Sequence, residues 1–405
     1  MRILQVADHY PPESGGLADH VERLARELRV RGHDVSVLAV SRDPGTNTAD
    51  GVEVVRERVS LDRLPVYEET SPPFHPPWPD PRFRSSLARE LDRLRPDVVH
   101  AHGWSAFSAA AETRRRGLPL VCTLHDYNVA CPKKSLLRYG RICTTGRGWA
   151  CTTCDSDELA TTTRIPLAGA LALGVPWLAR RVTVFVAVSD YVATRSAENG
   201  LDPRSVSVVP NFITLPGEVG KPTPAASGAP YVLYVGPDAF HKGHDVLLEA
   251  YRRLGEVDYD LVLVGGRHER RRGDPSRAVF TGRLRGERLA ARYRAAAVVV
   301  VPSTWADPCP TVALEAMAWG RPVIGSDAGG LADIVADGRS GVLVPPADAD
   351  ALAAAIRALM ADLPLREAMG AEGRRRVDDF AAPRVVPQLE AVYERARGLA
   401  APGCD

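Results

Sequence analysis

Twice along this chain, short β-branched runs alternate with longer segments of helical apolar spacing, and the second series starts afresh after a break. The first series passes through residues 3–7, 17–31, 35–40, 97–101, 121–124 and 184–188. The second passes through strand-like 231–235, 261–264, 298–301 and 321–324, with helical 243–254, 285–295 and 311–319 between them. Strands that alternate with helices build parallel sheets through right-handed crossovers, so each half predicts an open α/β domain. The break, residues 214–230, is too rich in proline, glycine and small residues to form a core and reads as a linker. A chain of 405 residues suits two such domains better than one. The expected boundaries are 1–213 for the first domain, 231–380 for the second, and 381–405 for a terminal helix able to pack back on the first. Ligands of open α/β sheets sit at the carboxyl ends of the strands, so the expected site is a deep cleft across which the two domains face.

Charge narrows the function. The 51 lysines and arginines nearly cancel the 50 aspartates and glutamates, which leaves no global field for nucleic acid or anionic lipid, and any phosphate site must be local. The first eight residues lack the basic, apolar and small-residue sections of a signal peptide, which predicts a cytoplasmic protein. The longest apolar stretch, residues 165–178, holds Pro166, Gly169, Gly174 and Pro176 and falls short of the ~20 residues that a spanning helix needs. Two readings stand for it: a helix packed on the core, or an apolar lip giving peripheral contact with the inner membrane face.

The stretch from Pro302 to Gly320 carries the most chemistry. It reads as the end of a strand, a short loop and a helix, with Asp307 before the helix and Glu315 inside it, eight positions apart. Helix-start amides in such a loop can receive a diphosphate, and the two acids can accept hydrogen bonds from hydroxyls on either side, an arrangement suited to a sugar nucleotide. Tyr10 to Gly16 follows the opening strand and precedes a helix, and its Gly15–Gly16 pair lets backbone approach a ligand closely. No Gly-x-Gly-x-x-Gly follows either opening strand, which counts against a nicotinamide enzyme. His125 ends a strand, as do His100 and His102, where a hydrogen-bonded wall residue and an acceptor contact are equally good readings. The Asp348-x-Asp350 pair precedes an apolar-periodic segment and reads as a helix cap rather than a metal site.

These residues together resemble the retaining glycosyltransferases of family 4. The likeness runs over nearly the whole chain and is most specific between Val235 and Pro346. It implies the GT-B fold, two Rossmann-like domains, and a metal-independent transfer from a nucleotide diphosphate sugar, UDP- or GDP-linked, to an acceptor hydroxyl. Glu315 then binds the donor ribose and Asp307 the transferred sugar, within a donor loop that includes Pro308 and Thr311. Lys242 contacts the diphosphate, Gly15 and Gly16 close on it, and His125 sits by the reacting sugar. The family usually has glutamate where Asp307 stands, and a basic residue where Pro237 stands. Arg267 or Arg283 could supply the missing charge, or both are solvated surface residues. Two rivals remain: a same-fold enzyme that hydrolyses or epimerises the sugar nucleotide, and a non-catalytic partner that binds it.

Cys131, Cys143, Cys151 and Cys154 fall within 24 residues, inside a segment expected to be an insert over about 127–160. One short Cys-x2-Cys pair where two are usual makes a moderate zinc signal. Structural zinc, reduced cysteines and an iron–sulfur site are the readings that stand. Some members of the resembled family carry a similar insert.

Overall fold

Valine, isoleucine and leucine crowd the alternating runs, and in a computed structural model of the chain these runs are strands buried on both faces, as parallel strands flanked by helices must be. The structure describes residues 1–13, 15–63, 73–154, 161–216, 229–267 and 269–400. The middle of the linker (217–228), part of the cysteine segment (155–160) and the tail with Cys404 lie outside them. The chain divides into two units, one of Met1–Tyr139, Cys143–Asn211 and Val385–Asp405, the other of Gly140–Ile142 and Phe212–Arg384.

The first unit contains β1 (Arg2–Ala7), α1 (Gly16–Val30), β2 (Asp34–Val40), β3 (Gly45–Ala49), β4 (Val52–Glu57), α2 (Pro81–Leu94), β5 (Val98–His102), α3 (Ala106–Arg116) and β6 (Leu120–Leu124). The two-residue strands β7 (Leu137–Arg138) and β8 (Arg141–Ile142) follow in the chain, β8 falling in the second unit. Then come α4 (Thr161–Ala179), β9 (Val184–Ala187), α5 (Asp190–Glu198) and β10 (Val206–Val208). The sheet runs β10-β9-β6-β5-β1-β2-β4-β3, and every pairing in it is parallel except β3 with β4. On α4, the apolar stretch of the sequence, Leu167, Leu171, Val175 and Leu178 are buried while Ile165 and Leu173 are exposed. No described helix is long and apolar enough to cross a membrane.

The second unit contains β11 (Tyr231–Val235), α6 (His244–Leu254), β12 (Asp260–Val264), β13 (Ala278–Phe280), α7 (Gly286–Ala295), β14 (Val298–Val301), α8 (Thr311–Ala318), β15 (Val323–Ser326), α9 (Leu331–Ile334), β16 (Gly341–Val344), α10 (Ala349–Ala361) and α11 (Leu363–Arg376). Its parallel sheet runs β13-β12-β11-β14-β15-β16. Val232, Val298 and Val300 pack with Leu247, Leu352 and Ile356 in one core. The strand expected over 321–324 begins only at Val323, because Gly320 turns the chain at φ 65° and Pro322 has no N–H for the ladder. Asp348 caps α10 by accepting a hydrogen bond from the Ala351 amide at 2.9 Å.

The last helix, α12 (Ala382–Ala400), belongs to the first unit from Val385 onward. Two polar anchors hold it there. Glu390 accepts from both Nε and Nη2 of Arg31 at 2.8 and 2.7 Å and pairs with His33 at 2.7 Å. The wholly buried Tyr393 hydroxyl shares a 2.8 Å hydrogen bond with Nδ1 of His100, whose Nε2 lies 2.7 Å from Thr123 Oγ1. A buried ring nitrogen that loses its partner keeps its desolvation cost, so Tyr393→Phe is expected to lower the unfolding free energy by about 1–3 kcal/mol in a denaturant titration. A loss within error of zero would mean that this bond does not anchor the helix.

His100 is one of a group of rings. His100 and His102 lie 4.0 Å apart between centroids, His102 and His125 5.2 Å, and His20 and His125 4.7 Å. Burial keeps all four neutral, bringing His20 down to about 3 and the other three well below the usual imidazole range. A ring whose folded pKa is depressed contributes stability that is present above its unfolded value near ~6.5 and lost as pH falls toward the folded value. Asp126, pushed up to about 6 by burial, works in the opposite sense, but it is one group against four. The thermal midpoint is therefore expected to fall between about pH 7 and about pH 5, with His20 alone accounting for about 2 kcal/mol. A midpoint that holds steady or rises over that range would contradict this account of the cluster.

Candidate functional site

The second sheet reverses its strand order at β11, which pairs with β12 on one side and β14 on the other. A sheet of this kind opens a crevice at such a switch point, between the loops that leave the two strands. Here those loops are 236–243 and 302–310, and they are stitched together. The Thr304 amide donates to His241 O at 3.0 Å, and the Thr304 hydroxyl donates to Phe240 O at 3.0 Å. Gly243, at φ 71°, lies so close that a Cβ there would stand 1.7 Å from Pro302 O. Only glycine fits both the conformation and the space.

This stitching aims Lys242 at Asp307. Lys242 Nζ donates to Asp307 Oδ2 at 2.6 Å and lies 5.0 Å from the centre of the Trp305 ring, while Ser303 Oγ stands 3.3 Å from the same oxygen. Asp307 is only 5% exposed, and a carboxylate so enclosed requires a partner. Its backbone is fixed from behind by the turn after β15, where the Gly330 amide donates to Asp307 O at 2.8 Å. A Cβ on Gly329 would come within 2.4 Å of that oxygen.

Glu315 stands partly exposed one turn into α8, and the buried Tyr293 of α7 donates its hydroxyl to Oε2 at 2.8 Å. The helix starts at Pro310 with no side-chain cap. Thr311 at its first position is partly exposed, whereas Pro308 and Pro310, which have no N–H to offer, are buried. The crevice thus presents a cation, a buried carboxylate, a partly exposed carboxylate and an uncapped helix start.

Arg267 and Arg283 have other surroundings. Arg267 donates to Asp274 at 2.9 Å, lies 3.8 Å from Asp238 and covers the Phe280 ring at 4.4 Å. Arg283 is exposed on the loop after β13 and is hydrogen-bonded to neither Lys242 nor Asp307. The reason is topological: β13 is the edge strand, with β12 between it and β11. At Pro237, where a basic residue was expected, the carbonyl accepts from the Tyr234 hydroxyl at 2.8 Å.

The first sheet has its own switch point, at β1 between β2 and β5. Asp8, wholly buried just past β1, accepts from the amides of Trp104 at 2.9 Å and Ser105 at 2.7 Å, with Lys134 Nζ at 3.4 Å. At the ends of β5 and β6, His102 Nδ1 and His125 Nε2 share a hydrogen bond of 2.9 Å. His102 Nε2 is buried with no partner. Gly15 and Gly16 are exposed at the start of α1, with no atom within 4 Å of where a Cβ would stand on either. Tyr293, Ser303, Asp8 and Lys134 were not singled out from the sequence. Of these only Asp8, an acid ending a β-branched run, carried a visible signal. No disulfide joins the four clustered cysteines, of which Cys131, Cys151 and Cys154 are buried and Cys143 is partly exposed.

Comparison with known proteins identifies the family. The family model described as Glycosyltransferase Family 4 matches residues 14–215, and that described as Glycosyl transferases group 1 matches 229–362. A GDP-mannose-dependent alpha-mannosyltransferase from Mycolicibacterium smegmatis is 31% identical over 98% of this chain and 98% of its own length. A glycogen synthase from Mycobacterium tuberculosis is 29% identical over 98% of this chain and 95% of its own. Among solved structures, a sucrose-phosphate synthase from Thermosynechococcus elongatus superposes with a TM-score of 0.74 at 21% identity, covering 98% of this chain and 99% of that one. The chain is a glycosyltransferase of family 4, with the two Rossmann-like domains of the GT-B fold.

Proposed function

We propose that this protein is a retaining hexosyltransferase that moves a sugar from a UDP- or GDP-linked donor to an acceptor hydroxyl in glycan, glycolipid or natural-product biosynthesis. The observation that carries the reading is the enclosed Lys242–Asp307 pair, 2.6 Å long, on the crevice that also holds Glu315 and the α8 start. A donor entering there offers a better partner to each member. Its diphosphate takes the Lys242 cation and the Thr311-end amides, while a sugar hydroxyl donates to Asp307. Glu315, held by Tyr293, accepts from the ribose hydroxyls. Gly15 and Gly16, with open space around them, give the diphosphate a second backbone approach, and Arg283 can swing its exposed guanidinium toward negative charge. His125 is assigned to the hydroxyls of the transferred sugar, as a neutral hydrogen-bonding ring.

Cleaving the sugar–phosphate bond places negative charge on the departing diphosphate, and a fixed cation beside it lowers the barrier. In this reading Lys242 supplies that charge and no divalent ion is needed. The leaving phosphate oxygen deprotonates the acceptor on the same face as the new bond forms, so the anomeric configuration is kept, and the protein contributes orientation and charge stabilisation. Asp307, one methylene shorter than the family's usual glutamate, sets the sugar closer to the loop. The apolar outer residues Ile165 and Leu173 of α4 suit an acceptor carried at the inner membrane face. The relative that uses GDP-mannose favours a guanine donor as the first to try.

Incubating the protein with UDP- and GDP-hexoses and a panel of hydroxyl acceptors, then determining the product anomer by NMR, tests the assignment. A linkage of the same configuration as the donor is expected. An inverted linkage would reject the mechanism, and donor hydrolysis without transfer would favour a hydrolase. Lys242→Ala is expected to lower kcat by about 10²–10³-fold with a smaller change in KM, because its charge matters most as the bond breaks. Unchanged turnover would remove Lys242 from the leaving-group role.

A further inference from the structure

Outside the donor crevice, the cysteine segment is built as if around a small charged object. Cys131, Cys143, Cys151 and Cys154 all line one cavity. Two of them are already cradled by backbone amides: Lys133 and Leu136 direct theirs at the Cys131 sulfur, and Thr145 and Gly146 direct theirs at the Cys143 sulfur. Paired N–H groups aimed at a sulfur fix its direction, as they do around metal-bound cysteines. The backbone is bent to make these cradles, with Lys134 at φ 63°, Leu136 at φ 51° and Gly146 at φ 61°. Non-glycine residues at positive φ are uncommon, and with Tyr139 at φ 49° three lie between Cys131 and Cys143.

Cys151 and Cys154 are differently engaged. Their thiols lie 3.7 Å from Gly146 O and 3.8 Å from Leu137 O. As the side chains stand, no three of the four sulfurs lie within 4.8 Å of one another. A tetrahedral zinc with bonds of ~2.3 Å would hold them about 3.8 Å apart. The carbonyl contacts of Cys151 and Cys154 are weak S–H bonds, and giving them up to rotate inward costs little beside a metal–thiolate bond. Charge points the same way. Four thiolates around a divalent ion carry a net charge of about −2, and Lys133, Arg138 and the buried Arg164 line the cavity, while no acidic residue does.

We infer that these four cysteines form a structural zinc site, a clasp that closes the loop following β6. The clasp has a consequence for the first unit. Lys134, between the first two cysteines, reaches back to Asp8 at 3.4 Å and covers the Trp104 ring at 4.2 Å. Arg147 donates to Val129 O at 3.2 Å, and its amide donates to Asn199 Oδ1 at 2.8 Å, tying the third side of the loop to α5. Zinc held here fixes Lys134 over the carboxylate at the end of β1, so the ion acts on positioning and takes no part in bond making.

The full-length protein, purified without added metal, should contain about one zinc per chain by elemental analysis. Cys131→Ser and Cys151→Ser should each reduce this at least tenfold, whereas Cys122→Ala, on β6 outside the cluster, should retain it. Because the serine variants can misfold, the wild type is also treated under native conditions with an organomercurial and a zinc indicator, which should release the zinc in step with four thiols. Cobalt exchanged into the protein should give the intense visible bands of a tetrahedral thiolate site. Zinc below a tenth of an equivalent with four titratable thiols would overturn the inference. So would iron with acid-labile sulfide, or two disulfides in the isolated protein.

Discussion

A buried carboxylate is tolerated only with a partner, and the donor half of this molecule is organised around that requirement. Asp307 is enclosed by the loop after β14, and the lysine that neutralises it is sixty-five positions earlier, in the loop after β11. Bringing the two together needs the sheet reversal between β11 and β14, the Thr304 bonds to the 240–241 backbone, and the close pass of Gly243 against Pro302. Each lies within the protein's own loops and sheet, so the site is built before any ligand arrives. What a ligand can do is exchange partners: phosphate for aspartate on the lysine, hydroxyl for ammonium on the aspartate.

The first unit repeats the scheme with a different outcome. Asp8 also sits at a strand end beside a sheet reversal, and it too faces a lysine, Lys134. But Asp8 already accepts two amide bonds, from Trp104 and Ser105, and is wholly buried. Burial opposes ionisation, but the Lys134 cation above all, with His9, His75 and the Trp104 amide, holds its carboxyl below the usual range. It has little left to offer a ligand. We read Asp8 as a fixed anchor for the β5 and β6 ends, where His102 and His125 lie, and Asp307 as the exchangeable partner of a substrate.

Much of this was legible in the sequence, for identifiable reasons. Strands buried on both faces read as near-continuous apolar runs, so they stood out, and the Asp307–Glu315 spacing marked a loop and helix. The β3–β4 hairpin was not read, although its Asp50–Gly51 turn, with both residues at positive φ, is a strong hairpin signal. Nor was α2, despite Asp80 and Pro81 at its start, where Asp80 accepts from the Arg82 and Phe83 amides. The Lys242–Asp307 contact and the Tyr293 bond to Glu315 were beyond sequence reasoning, because crossover connections fix strand order only in three dimensions.

The most direct test of the account is a crystal structure of the protein with an intact, non-hydrolysable donor analogue. The account predicts that Lys242 leaves Asp307 for the diphosphate, that Asp307 accepts from a hydroxyl of the sugar, and that Glu315 accepts from the ribose while keeping its bond to Tyr293. A donor bound elsewhere, with Lys242 still within hydrogen-bond distance of Asp307, would contradict it.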